Sequence, residues 1–134
     1  ATGEVFWGRV GTGAWKRDGS GTRPITVRAI PAEGVTVMGS HHYQDDPRMG
    51  RFLAGRQVAR IVNIGSAEKF CRVAEGSADL YPRFGRTMEW DTAAPQAVLE
   101  AAGGVLRLLD GGGPLLYRKP GWANPPFVCE GRPA

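Results

Sequence analysis

The sequence predicts an α/β domain built in layers. Three observations carry this. Short β-branched and apolar runs alternate along the chain with segments whose apolar residues fall at helical spacing. Acid, proline and glycine signals stand where those helices start and stop. Finally, 20 glycines and 10 prolines in 134 residues divide the chain into many short elements.

At the start, Glu4 to Gly8 alternates like a strand, and Gly11 to Trp15 reads as a second strand after a tight turn. A two-stranded hairpin is marginal alone, so this opening reads as the edge of a larger sheet. Lys16 to Arg23 is polar and Gly-rich and reads as a loop, so residues 1–24 form a hairpin-and-loop unit and 25–134 an α/β domain. Ile25 to Arg28 and Val35 to Met38 read as strands, the second ending at Gly39-Ser40-His41-His42. Asp45 and Asp46 can cap a helix that has Pro47 in its first turn and runs through Met49, Phe52 and Leu53 to Gly55.

Val58 to Ile64 is dense in β-branched residues and reads as a buried strand. A Gly65-Ser66 turn leads into a helix over about 67–75, with Phe70, Val73 and Ala74 on one side and Gly76 as its stop. Ala78 to Tyr81 is a short strand and Arg83 to Glu89 a loop. A helix spans 92–102, headed by Asp91 and closed by Gly103-Gly104. Val105 to Leu109 is a strand, Leu115 to Tyr117 a strand or its end, and the proline-containing tail is irregular until Phe127-Val128.

Composition narrows the function. The length suits one modest core, and the ordinary apolar fraction excludes a disordered chain. A net charge of +4 without a basic run suits small phosphate-bearing ligands better than a nucleic-acid polymer. No apolar run approaches the ~18 residues of a membrane span, and the start lacks a signal-peptide pattern. Cys71 and Cys129 share no metal-type spacing. They read as two thiols in a reducing cytoplasm, a disulfide being the alternative.

Four places can carry chemistry. At Gly65-Ser66, backbone N–H groups and a helix start favour an anion; Ser66 can donate to it and Lys69 adds charge one turn on. The competing reading makes Ser66 a helix cap and Lys69 a solvated surface residue. Arg83, where a strand leaves the sheet, can hold a phosphate bidentately or pair with Asp79 or Glu89. Asp91 can cap its helix or serve as a hard oxygen ligand for Mg²⁺. Of His41 and His42, which point to opposite sides of a strand, one can reach a ligand.

Gly65-Ser66…Lys69-Phe70-Cys71, Ala74-Glu75-Gly76, Ala78-Asp79-Leu80-Tyr81-Pro82-Arg83 and Thr87-Met88-Glu89-Trp90-Asp91-Thr92-Ala93-Ala94 stand in the order and spacing of one family. Together with Asn124-Pro125 and the opening Gly3-Glu4…Gly8…Gly11…Gly13-Ala14, they resemble the 3'(2'),5'-bisphosphate nucleotidases of the CysQ type, within the inositol monophosphatase superfamily. The likeness covers the chain but only the C-terminal half of such an enzyme. The family's Glu-Glu and Asp-Pro-Leu-Asp-Gly-Thr metal motifs do not occur here.

The resemblance implies the layered α/β/α C-terminal domain of the sugar-phosphatase fold, its opening hairpin left over from a first sheet completed elsewhere. It implies a cytoplasmic Mg²⁺-dependent hydrolase of sulfur assimilation that converts 3'-phosphoadenosine 5'-phosphate to AMP and phosphate. Asp91 is then the metal ligand of this half, and Ser66, Lys69, Arg83 and His42 (His41 if the alignment slips by one) contact the nucleotide. No catalytic residue lies in this chain alone, so the expectation is an inactive isolated chain. The implied partners are the other half or a second copy, and the alternatives are a non-catalytic phosphate-binding half-domain or inositol phosphate specificity. The chain departs from the family pattern at four places: Gly39-Ser40-His41 for Ser-Arg-Ser, Glu68 for Leu, Arg86 for Pro, and Pro95 for Gly in what reads as a helix's first turn.

Overall fold

The computed structural model describes residues 2–41 and 45–132. In chain order the elements are β1 (Val5–Arg9), β2 (Gly13–Asp18), β3 (Gly21–Ile25), β4 (Val35–Gly39), α1 (Pro47–Leu53), β5 (Val58–Asn63), α2 (Glu68–Ala74), β6 (Leu80–Arg83), β7 (Thr87–Met88), α3 (Glu89–Ala101), β8 (Val105–Leu108), β9 (Ala123–Asn124) and β10 (Phe127–Glu130).

The central sheet runs in the order β5-β4-β6-β10-β8. β4 pairs parallel with β5 and β6, while β10 pairs antiparallel with β6 and β8. Because successive side chains on a strand face opposite ways, each strand serves two cores. Met38, Tyr81, Phe127 and Cys129 pack with Phe70 and Val73 of α2 and Val98 and Leu99 of α3. Val35, Val37, Leu80 and Val128 pack on the other face with Met49, Phe52 and Leu53 of α1. This is the layered α/β domain expected from the alternation of elements, in the α/β/α arrangement that the family resemblance implies.

β1, β2 and β3 form a second sheet beyond α2 and α3. Its inner face joins the main core through Ala14, Phe6 and Ile25. At Gly8 the sheet comes so close to α3 that an added Cβ would sit 2.7 Å from that of Ala101. Charge ties the same sheet to α2: Glu4 pairs with Arg72 at 2.7 Å, and Lys16 with Glu75 at 2.7 Å. Hydrogen bonds from Arg72 and then Lys16 hold the Glu4 carboxyl well below the usual carboxylate range. On the outer face Trp7 and Trp15 stack with ring centroids 6.5 Å apart, and Trp7 remains exposed.

Several sequence expectations need correction. Lys16 to Arg23 is not a loop. It forms most of β2 and β3 around a Gly19-Ser20 turn, closed by the Arg23–Asp18 ion pair. Its polar residues suit strands because much of this sheet is exposed. Ile25 to Arg28 contributes only its first residue to a strand; Val27 N–H and the Thr26 hydroxyl both donate to the Ala102 carbonyl, at the end of α3. β5 is an exposed edge strand, so its β-branched residues record strand propensity and not burial on both faces.

Leu115 to Tyr117 forms no strand, whereas the stretch read as irregular supplies β9, and the fully buried β10 begins at Phe127, where that reading ended. Pro125 and Pro126, which sit just outside the strands, hid β9. α3 begins at Glu89, so Pro95 lies inside the helix and not in its first turn. The Asp91 carbonyl there lacks the usual i+4 donor. Asp46 does cap α1, accepting from Arg48 N–H at 2.9 Å, with Pro47 in the first turn. Both cysteines are free, and burial pushes the Cys71 thiol up to about 11. No helix among the described residues is long and apolar enough to cross a membrane.

Candidate functional site

Ser66, Lys69, Arg83 and Asp91 line one cleft of about 520 Å³, together with Ser40, Phe70, Tyr81, Arg86, Thr87, Trp90, Thr92 and Pro95. His42 lies outside the described residues, and His41 is exposed just beyond β4. The cleft opens where β4, β5 and β6 end and α2 and α3 begin, which is where open α/β sheets place ligands.

Ser66 is the first contributor. It adopts φ +61°, the left-handed region, although it is not glycine. The turn therefore holds an uncommon backbone conformation at the cleft. The N-cap of α2 is Ala67, which has no side-chain capping bond, so Ser66 is not the cap that one reading gave it. Its hydroxyl is 3.5 Å from Glu68 N–H.

Lys69 is the largest of the fully buried side chains, at 1 % exposure, so the solvated-lysine reading fails. Its ammonium donates to the Ile64 carbonyl at 3.0 Å and lies 5.2 Å from the centre of the Tyr81 ring. No carboxylate pairs with it among the described residues. Burial, then the neighbouring Arg83 charge, lowers it to about 8, with Glu68 pulling the other way. Glu68 does not oppose an anion in the cleft; its carboxylate is engaged by Arg72 at 3.1 Å on the far side of α2.

A phosphate gains from Lys69 only in its charged form. Phosphate affinity is therefore expected to hold below about pH 7.5 and to fall as pH rises through about 8, by roughly tenfold at pH 9. Because a bound anion favours the charged amine, binding near pH 9 should take up a proton. Calorimetry in two buffers of different ionisation enthalpy reads this directly. A flat affinity profile to pH 9 would remove Lys69 from the site.

Arg83 ends β6. Its guanidinium donates to Gly85 O and Arg86 O, each at 3.3 Å. The two acids that could have neutralised it are held elsewhere. Asp79, buried, accepts from Arg28 at 2.8 Å and from Thr36 N–H at 2.8 Å. Glu89 accepts from the Lys119 ammonium at 2.7 Å and from the backbone N–H groups of Arg118 and Lys119.

Asp91 sits at the third position of α3, and the N-cap is Met88. One carboxylate oxygen accepts from Met88 N–H at 2.8 Å, which is the acidic half of a capping box. The other has no hydrogen-bond partner among the described residues. Capping and ligation, which the sequence left as alternatives, are thus compatible: one oxygen fixes the side chain and one stays available in the cleft. As a fit to a divalent cation this is a single hard ligand. Mg²⁺ takes one or two protein carboxylates beside water and phosphate, so Asp91 suits it. No group of three His, Cys, Asp or Glu residues capable of holding a metal occurs among the described residues.

The support beneath Asp91 was not foreseen. Thr92 is fully buried; its hydroxyl donates to the Glu89 carbonyl and accepts from Asn124 and Tyr117, each at 3.1 Å. With Glu89 and Lys119, these residues strap the 114–124 segment over the start of α3. Asn124-Pro125 was the sequence signal for it, visible as a motif without a role. Arg86 and Trp90 line the cleft as well; Trp90 stood in the quoted motif and Arg86 as a departure from the family pattern, neither with a role.

The sequence pattern of the inositol monophosphatase family matches residues 1–130. The enzymes of that family are generally metal-dependent. Among curated proteins, an uncharacterised protein of Rhizobium leguminosarum is 56% identical over 86 residues, covering 60% of this chain and 90% of its own length. The 3'(2'),5'-bisphosphate nucleotidase CysQ of Escherichia coli K12 is 43% identical over 90 residues, covering 67% of this chain and 35% of the enzyme. That of Buchnera aphidicola is 36% identical over 110 residues, covering 81% and 40%. The chain thus spans well under half the length of these nucleotidases. Among solved structures, CysQ from Bacteroides thetaiotaomicron superposes with a TM-score of 0.81 at 32% identity, over 98% of this chain and 55% of that one. An inositol monophosphatase from Anabaena gives 0.70 at 23% identity over 95% and 49%, a likeness of fold alone.

Proposed function

The chain belongs to the inositol monophosphatase family, and from that premise we propose that it forms the substrate-holding part of a Mg²⁺-dependent phosphatase acting on 3'-phosphoadenosine 5'-phosphate. The observation that carries the proposal is the convergence of Ser66, Lys69, Arg83 and Asp91 on one cleft with a single carboxylate among several cations. The CysQ names of its relatives favour a nucleotide over an inositol phosphate.

In this reading Lys69 and Arg83 hold the phosphate that does not react. Lys69 acts as a desolvated point charge and Arg83 as a planar donor fork. Ser66 donates to the same group. Asp91 keeps one oxygen for the cation, while its capping bond to Met88 N–H fixes the side chain. A divalent cation, when bound, neutralises phosphate charge and makes water a nucleophile at neutral pH. Ester hydrolysis adds water at phosphorus, breaks the ester P–O bond, and passes a proton from that water to the leaving oxygen. No general base for the water is assigned to this chain, and further carboxylates must come from outside the described residues. Residues 1–24 would form one end of a larger sheet, consistent with the exposed Trp7.

The test is paired calorimetry and phosphate-release measurement on the purified chain with Mg²⁺. Nucleotide binding without turnover is expected. Vigorous release would show that the catalytic carboxylates are here after all, and an absence of binding would discard the nucleotide reading.

A further inference from the structure

Of the 17 basic residues in this chain only three are lysines, Lys16, Lys69 and Lys119. Two of them are locked in ion pairs. Lys16 meets Glu4 at 2.6 Å and Glu75 at 2.7 Å, between the outer sheet and α2. Lys119 meets Glu89 at 2.7 Å and the Asn124 side chain at 3.0 Å, within the strap over α3. Lys69 has no carboxylate among the described residues, only the Ile64 carbonyl and the Tyr81 ring. Of the three, it is also the one that lines the cleft.

Deprotonating Lys16 or Lys119 would break an ion pair, whereas deprotonating Lys69 breaks none. A lysine that is desolvated beside another cation gives up its proton readily, and the free amine attacks carbonyl carbon. Both conditions hold here: the side chain is 1 % exposed, and the Arg83 charge is a neighbour. With its value lowered to about 8, a sizeable share of Lys69 is free amine near neutral pH, where an ordinary lysine has almost none. Access is through the cleft, so the reaction partner is small. The lining has Lys69, Arg83 and Arg86 against the single carboxylate of Asp91, which favours a partner with a negative charge.

We propose that Lys69 is a covalent capture site for small aldehydes that carry a carboxylate, which it holds as an imine. This goes beyond the phosphatase reading and does not depend on it. The amine adds to the aldehyde carbon, and its two hydrogens leave with the aldehyde oxygen as water. A C=N bond replaces the C=O bond, and nothing is oxidised or reduced. The adduct exchanges a cation of the cleft for an anion, so it closes the cleft reversibly to other anions.

The test incubates the full chain with glyoxylate and cyanoborohydride at pH 7.5, which reduces each imine to a stable secondary amine, and locates the adducts by peptide mass mapping. Lys69 is expected to be labelled about tenfold or more faster than Lys16 and Lys119. Relative to their rates with acetyl-lysine in solution, glyoxylate should outrun uncharged propanal at Lys69 by about threefold or more. Equal rates at the three lysines would overturn the site. Equal relative rates for the two aldehydes would overturn the choice of a carboxylate-bearing partner. Lys69→Met should lose the fast adduct and keep the slow labelling of Lys16 and Lys119, and a fast adduct that survives the substitution would also overturn the site. Inorganic phosphate should protect Lys69; fast labelling without protection would count against the phosphate reading and leave the capture site standing.

Discussion

Replacing Lys69 by methionine is expected to stabilise the fold and weaken nucleotide binding. Such opposite signs mark a residue kept for its site. The wild-type ammonium is buried and, among the described residues, meets one carbonyl and one aromatic ring and pairs with no carboxylate. Its folded-state value of about 8 lies below the ordinary 10.5, so the folded protein resists the proton. The sign follows: Lys69 destabilises the fold fully below about pH 8, and the penalty fades as pH rises towards 10.5. The shift corresponds to about 3 kcal/mol at pH 7. Methionine fills the same space beside Phe70 and Tyr81 but leaves the Ile64 carbonyl without its donor, at a cost of about 1 kcal/mol.

The expected gain at pH 7 is thus on the order of 2 kcal/mol, read as a higher urea midpoint at unchanged slope. Above about pH 10.5 the carbonyl penalty alone should remain. Nucleotide affinity should drop by about tenfold or more, because one charge of the phosphate site is gone. A loss of stability at pH 7 would mean that Lys69 is a satisfied core lysine, and that the cleft is not built around its charge.

Phe127→Ala should have the larger effect on folding, about 3–5 kcal/mol. Domains of this size are stable by about 5–15 kcal/mol, so much of the margin would go. Phe127 is fully buried on β10, between β6 and β8, and its ring lies 5.8 Å from Phe70 and 6.0 Å from Tyr81. Both neighbours also line the cleft. The cavity would therefore loosen the floor under Lys69, and nucleotide binding should weaken along with stability. Leu116→Ala, at a side chain 64 % exposed, is the comparison and should change stability by less than about 0.5 kcal/mol. Similar urea midpoints for the two variants would mean that β10 is not a core strand.

These two residues also mark the limits of reading the chain as a string. Lys69 was visible as a candidate, because a Gly-Ser turn followed by a basic residue one helical turn on is a local pattern. Its burial was not visible, since that depends on Tyr81 and Arg83 arriving from another strand. Phe127 was visible as the end of the irregular tail, but its place between β6 and β8, which buries it completely, was not. The reverse holds for Leu115 to Tyr117, which has strand composition but serves as a strap, held by Tyr117 and Lys119 at the start of α3.

By itself the sequence determined the layered α/β class, the capped start of α1, the stop at Gly76, and the four residues that meet in the cleft. The first three rest on local chemistry, side-chain period and proline and glycine geometry, and the grouping of the four residues rests on the resemblance of their motifs to the family. Tertiary structure alone decided which acids were already occupied. Asp79 goes to Arg28 and Glu89 to Lys119, so neither is left for Arg83. It also decided that Asp91 caps its helix with one oxygen and keeps the other for the cleft. An ion pair is settled by distances between elements far apart in the chain, and a sequence contains the candidates for such pairs but not their partners.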